Sequence, residues 1–123
     1  MKDWYFKVWK ERNYFDLWHI NHLLAGILLA GLVIFFDFGF LIGIISSLII
    51  MVSWEIFEIL KKVKESNFNR AMDIILGVVG FFILYFIQDR YILSFFTISF
   101  IVWTFMELWG YSALYIQYKG KND

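Results

Sequence analysis

The stretch of sequence that decides the fold runs from Phe38 to Leu60 and reads FGFLIGIISSLIIMVSWEIFEIL. It holds no charged side chain before Glu55. A helix needs about 20 apolar residues to cross a hydrocarbon core about 30 Å thick, so the stretch predicts a transmembrane helix. Three similar stretches lie at residues 17–36, 71–88 and 91–115. The sequence therefore predicts an all-α integral membrane protein, in which a four-helix bundle forms a single transmembrane domain over residues 1–123.

The composition also indicates a lipid environment. Of the 123 residues, 61% are hydrophobic and 18% are charged, whereas a soluble domain is about 45–50% apolar and about 25% charged. A soluble fold of this size has too little interior to bury so much apolar surface, so the lipid bilayer is the predicted partner. The chain contains no cysteine, which excludes disulfides and thiolate metal ligands. Its formal net charge of +0 favours no nucleic-acid partner.

The placement of Lys and Arg predicts the orientation of the chain. Ten of the 11 basic residues lie in the N-terminal arm, in the loop between the second and third spans, and in the C-terminal tail. Arg90 alone lies in the loop between the third and fourth spans. Short loops rich in Lys and Arg stay in the cytosol, so we expect both termini there, in a multi-pass protein of the cytoplasmic membrane. The short connections predict that neighbouring helices pack antiparallel.

The N-terminal arm, residues 1–15, alternates Lys with Trp, Tyr and Phe. Side chains of these kinds settle at the boundary between lipid and water. The arm is expected either to form a short interfacial helix or to act as a disordered aromatic anchor, and its composition does not separate the two.

Six ionisable residues stand inside the predicted spans, although a charged side chain at the bilayer centre costs about 2.5–3.5 kcal/mol or more. With a rise of about 1.5 Å per residue, all six are expected at similar depth in the cytosolic half of the bilayer. We expect them to form one polar cluster inside the bundle, although side chains this near the boundary can also snorkel to water. The candidate residues are His19, His22, Glu55, Glu58, Asp73 and Glu107.

Small residues continue the helix faces that carry these groups. Residues three and four apart share one face of a helix, and small side chains allow helices in membranes to approach closely. These faces are therefore predicted to turn toward neighbouring helices. The predicted packing positions are Gly26 and Ala30 on the first span, Gly39, Gly43 and Ser47 on the second, and Gly77 and Gly80 on the third.

The cluster offers several chemistries. Imidazole and carboxylate groups are ligands for a divalent metal, and the candidate ligands are His22, Glu55, Glu58 and Asp73. The same groups suit proton relay, acid–base chemistry or hydrogen bonds between helices. Haem is not favoured as a cofactor, because both histidines lie on one helix. No P-loop, dinucleotide-binding turn or nucleophile elbow is present. No catalytic residue is identified, and the sequence favours, without requiring, a protein that is not an enzyme.

Three short motifs resemble those of the VanZ-like membrane proteins, and the likeness covers about residues 16–82. The Asp-Lys pair that often precedes the histidine of that family is represented here by Asp16 alone, and Gly77 stands where asparagine is common. The resemblance implies a small multi-pass membrane protein, in a family one member of which is associated with glycopeptide antibiotic resistance, and it implies no agreed reaction. The motifs are Trp18-His19-Ile20-Asn21-His22, Trp54-Glu55-Ile56-Phe57-Glu58 and Asn69-Arg70-Ala71-Met72-Asp73, the last followed by Gly77 and Gly80.

Three functions remain open at the level of sequence. The first is a VanZ-like protein whose cluster binds or acts on a lipid-linked or envelope substrate, with or without a metal. The second is a non-enzymatic subunit or scaffold that binds a membrane-protein partner or a second copy of itself. The third is a proton- or ion-conducting bundle, against which the scarcity of polar residues in the outer half of the spans argues.

Overall fold

The computed structural model describes residue 9 and residues 16–63, 65–87 and 90–122. These residues form four helices and no strand: α1 (Trp18–Phe35), α2 (Phe40–Leu60), α3 (Asn67–Ile87) and α4 (Ile92–Asn122). Each helix is long and apolar enough to cross a membrane, which confirms the predicted class of an all-helical, multi-pass membrane protein. The interfacial helix considered for residues 1–15 lies outside the described residues, apart from Trp9.

Two helices extend beyond the predicted spans into polar sequence. Helix α3 begins at Asn67, whereas hydropathy predicts a start at residue 71. Ser66 explains the earlier start, because its Oγ accepts the Asn69 N–H at 3.1 Å and its carbonyl accepts the Arg70 N–H at 3.1 Å. These are the bonds of a helix N-cap. Helix α4 continues to Asn122, past the predicted end at residue 115.

A tight turn joins α1 to α2. Asp37 and Gly39 have φ angles of 55° and 80°, in the left-handed region that favours glycine and admits aspartate. The sequence predicts Gly39 as a helix-packing residue, but no atom of the described residues lies within 4 Å of a Cβ built there. Gly39 precedes α2, and the turn needs glycine there because of its positive φ angle.

The most extensive contact between helices joins α1 to α3. A Cβ added at Gly26 would collide with the carbonyl of Gly77, and one added at Gly80 would collide with the carbonyl of Leu23. The two backbones therefore touch, as small residues permit in membrane helices. Ala30 is buried in the apolar core that continues this contact, together with Ile27, Val33, Phe81 and Leu84.

Helix α2 packs more lightly, against both α1 and α3. Its buried face carries small residues: Gly43 lies against the Val33 side chain, and Ser47 follows one turn later. Met51 and then Glu55 continue the same buried face. The small-residue face of α2 therefore leads directly to a buried carboxylate.

Helix α4 packs mainly on α1. Trp9, Trp18 and Ala113 form a second buried cluster, in which Trp18 Nε1 donates to the Trp9 carbonyl at 2.9 Å. Gly110 makes room for the two tryptophan rings. Many large apolar side chains on the four helices are exposed, as expected for surfaces that face lipid.

Candidate functional site

The centre of the site is Asp73, which lies between the two histidines of α1. Its Oδ1 is 3.5 Å from His19 Nε2, and its Oδ2 is 3.5 Å from His22 Nε2. His22 Nε2 is also 4.0 Å from Glu55 Oε1. Asp73 is 2% exposed and Glu55 is 5% exposed. Side chains from α1, α2 and α3 therefore meet at one buried point.

A group of polar contacts behind His19 holds that side chain in place. His19 Nδ1 accepts the Asp16 N–H at 2.9 Å and lies 3.4 Å from Asp16 Oδ1. The Asp16 carboxylate also accepts the Trp18 N–H at 3.0 Å and the Asn69 Nδ2 at 2.7 Å. Asn69 stands one turn before Asp73 on α3, so this chain of contacts begins and ends on the same helix. Asp16 and Asn69 therefore hold His19 beside Asp73.

Three groups at the centre have the arrangement of a metal-binding triad. One ligand atom each from His22, Glu55 and Asp73 lies within 4.8 Å of the other two. No N–H group among the described residues donates a hydrogen bond to either oxygen of Glu55. A buried carboxylate without such a partner is costly, and a cation is the natural counterpart of this donor set.

A second group of four carboxylates shares two members with the triad. Glu55, Glu58, Glu65 and Asp73 each offer an oxygen within 4.8 Å of the others. The side chain of Glu65 is 1% exposed, and its Oε1 is 3.3 Å from Arg70 Nε. Arg70 also donates to the Val63 carbonyl at 2.9 Å, which ties the loop to α3.

A groove of about 600 Å³ adjoins the cluster and lies between α1, α2 and α4. Its polar end has two hydrogen bonds: Asn21 Nδ2 donates to Glu107 Oε1, and Trp54 Nε1 donates to Glu58 Oε1, both at 3.1 Å. Aliphatic and aromatic side chains make up most of the remaining wall. The lining residues are Trp18, Asn21, His22, Ala25, Leu28, Leu29, Leu32, Ile50, Met51, Trp54, Glu58, Phe96, Phe100, Trp103, Glu107 and Tyr111.

The structure divides the six residues that the sequence singles out. It brings His19, His22, Glu55, Glu58 and Asp73 together at the meeting point of three helices. It sets Glu107 on the far wall of the groove, hydrogen-bonded to Asn21 and outside both ligand groups. Sequence reasoning misses the following participants, although all but Glu65 stand in or next to the quoted motifs: Asp16, Asn21, Glu65 and Asn69.

Comparison with known protein families, with curated proteins and with solved structures finds no match for this chain.

Proposed function

We propose that this protein binds a divalent cation through His22, Glu55 and Asp73, and that the bound ion holds the polar head of a lipid-linked substrate. The observation that carries the proposal is the buried Glu55 carboxylate. It stands beside an imidazole and a second carboxylate, and no N–H group in the described part of the chain donates a hydrogen bond to either of its oxygens. Three nitrogen and oxygen ligands with a position left for substrate are typical of catalytic and substrate-binding metal sites.

The groove supports the second half of the proposal. His22 and Glu58 line its polar end and also belong to the ligand groups. The groove follows α1 from Trp18 to Leu32, which is about 21 Å at 1.5 Å per residue. Leu32, Ile50 and Phe100 on its walls are exposed, so the groove opens onto the outer surface of the bundle. An amphiphile fits this groove, because its anionic head can bind the ion at the polar end and its apolar chain can lie along the apolar wall.

The proposal includes the orientation predicted from the basic residues. With both termini in the cytosol and the helices antiparallel, the cluster and the head of the substrate belong to the cytosolic half of the bilayer. The resemblance of the three motifs to VanZ-like proteins supports the same residues as the site, and that assignment stays a prediction.

Metal content tests the first half of the proposal. The purified protein in mild detergent is incubated with Mn²⁺, desalted and analysed for bound manganese by mass spectrometry. We expect the wild type to retain manganese, and Glu55→Gln and His22→Ala to bind it at least about tenfold more weakly, because each removes a ligand.

The matched control is Asp37→Asn, which makes the same carboxylate-to-amide change in the exposed α1–α2 turn. This variant should retain manganese as the wild type does. Undiminished binding in both site variants, with all proteins folded by circular dichroism, would rule out the proposed ligands.

Photo-crosslinking tests the second half. A phospholipid with a diazirine in its acyl chain is incorporated into vesicles with the protein, and crosslinked peptides are mapped. We expect labelling of the groove wall near Phe96 and Phe100, and a marked decrease in Ala25→Phe, which fills the groove. Ala71→Phe, at an exposed position on α3, is the control and should label normally. Equal labelling in the two variants would contradict lipid binding in the groove.

A further inference from the structure

The two ligand groups share two carboxylates and together offer more ligands than a single ion needs. Glu55 and Asp73 belong to both groups, whereas His22 belongs to one, and Glu58 and Glu65 belong to the other. In sites with two metals, the ions lie about 3.5–4 Å apart. A carboxylate has two oxygens and can therefore bridge two ions. Ligands that belong to only one group would bind one ion each.

We propose that the cluster is a dinuclear metal centre, in which Glu55 and Asp73 bridge two divalent cations. His22 completes the position next to the groove, and Glu58 with Glu65 completes the position next to the loop between α2 and α3. This inference rests on the proposed function and deepens it, because it adds a second ion and a ligand, Glu65, from outside the predicted spans.

The balance of charge favours two ions over one. The four carboxylates carry four negative charges when ionised, and Arg70 is the cation in ion-pair contact with them among the described residues. When the Asp16 carboxylate, which faces His19 at the same site, is counted with the four, one divalent ion and Arg70 leave two negative charges uncompensated. Uncompensated buried charge is strongly unfavourable inside a membrane protein. Two divalent ions and Arg70 bring these five carboxylates to neutrality.

The burial of Glu65 is the second observation. Its side chain is 1% exposed, although it stands in a charged loop where a glutamate ordinarily points to water. Arg70 Nε lies 3.3 Å from its Oε1, and no N–H group among the residues that the structure describes donates to its Oε2. A ligand role gives this carboxylate a reason to turn inward.

The bridged position also suits the chemistry of an anionic head group. Two ions held by shared carboxylates can bind two oxygens of one phosphate, with His22 and Glu58 at the polar end of the groove. The class of substrate that fits is therefore a phosphate-bearing membrane lipid.

The experiment counts the ions and tests whether they are coupled. The full-length protein in mild detergent is titrated with Mn²⁺, and bound metal is measured by equilibrium dialysis while its state is followed by electron paramagnetic resonance. We expect two equivalents per chain at saturation and the broadened spectrum of an exchange-coupled pair. Glu58→Gln and Glu65→Gln should each decrease the stoichiometry toward one and restore the six-line spectrum of an isolated ion. Asp37→Asn should keep two coupled ions.

The outcomes separate this inference from the proposed function. One equivalent with the six-line spectrum in the wild type would overturn the dinuclear centre and leave the single-ion site standing. No bound manganese would overturn both. Two uncoupled ions would overturn the bridging role of Glu55 and Asp73, and two coupled ions in both the Glu58 and Glu65 variants would overturn those ligands. The wild-type measurement decides the main point even if a variant fails to fold.

Discussion

At the scale of single residues, the Asn69 side chain joins α3 to the segment that precedes α1. It is 0% exposed, and its Nδ2 donates to Asp16 Oδ2 at 2.7 Å. Asp16 in turn contacts His19, which faces Asp73. One amide therefore links the start of one helix to the histidine that borders the centre of the site.

Replacing Asn69 with alanine should lower the free energy of unfolding by about 1–3 kcal/mol, because a buried carboxylate loses a charge-assisted hydrogen bond. Unfolding in mild detergent by titration with a denaturing detergent, followed by circular dichroism, measures the change. Asn67→Ala, at an exposed position on the same helix, should unfold at the wild-type midpoint. Identical midpoints for the two variants would show that the Asn69–Asp16 bond contributes no stability.

The sequence predicts how deep a polar residue lies in the membrane more readily than it predicts which residue contacts it. Depth and helix face are enough to single out His22, Glu55 and Asp73, because an ionisable group inside a span needs a physical reason. The same reasoning cannot separate Glu107 from them, since it does not say on which side of α1 the helix α4 packs. It does not identify Glu65, because a glutamate in a polar loop is expected in water, and only the folded loop shows that this side chain is buried.

At the scale of helices, the close contact of α1 and α3 determines where the two histidines meet Asp73. Gly26 touches the backbone of Gly77, and Gly80 touches that of Leu23. His22 lies one turn before Gly26, and Asp73 lies one turn before Gly77. Any increase in the distance between these helices would therefore draw His22 away from Asp73.

Gly26→Ala should destabilise the protein by about 1–3 kcal/mol, because the added methyl group meets backbone that cannot move aside. It should also weaken manganese binding, since the ligands on α1 and α3 move apart. Gly120→Ala is the control: no atom of the described part of the chain lies within 4 Å of a Cβ added there, and alanine favours a helix over glycine by about 1 kcal/mol. Denaturant midpoints and bound manganese are the two measurements. A Gly26 variant as stable as the Gly120 variant would contradict the close contact.

The existence of the four helices follows from hydropathy, but two of their ends do not. The start of α3 depends on Ser66, whose side chain caps a turn made of polar residues. The far end of α4 lies beyond its apolar stretch, so hydropathy does not locate it. Length and apolar content therefore locate a span, and local hydrogen bonds locate its boundary.

At the scale of the whole molecule, the proposed orientation has a direct test. Alkaline phosphatase, active only outside the cytosol, and green fluorescent protein, fluorescent when folded in the cytosol, are fused separately to each terminus. We expect fluorescence and no phosphatase activity at both ends, because ten basic residues lie on one side of the predicted topology. Phosphatase activity at either terminus would contradict the predicted orientation and the assignment of the site to the cytosolic half.

The unequal packing of the bundle has a mechanical consequence. Helices α1 and α3 make the most extensive contact, whereas α2 packs lightly on both and is joined to α1 by a tight turn. Cations bound at the C-terminal end of α2 would hold that helix against α1 and α3. Loss of the cations would let α2 move away from the other two helices about the turn. Because Ile50, Met51 and Trp54 line the groove, this movement would widen it. Metal occupancy would thus set how readily a lipid enters the groove.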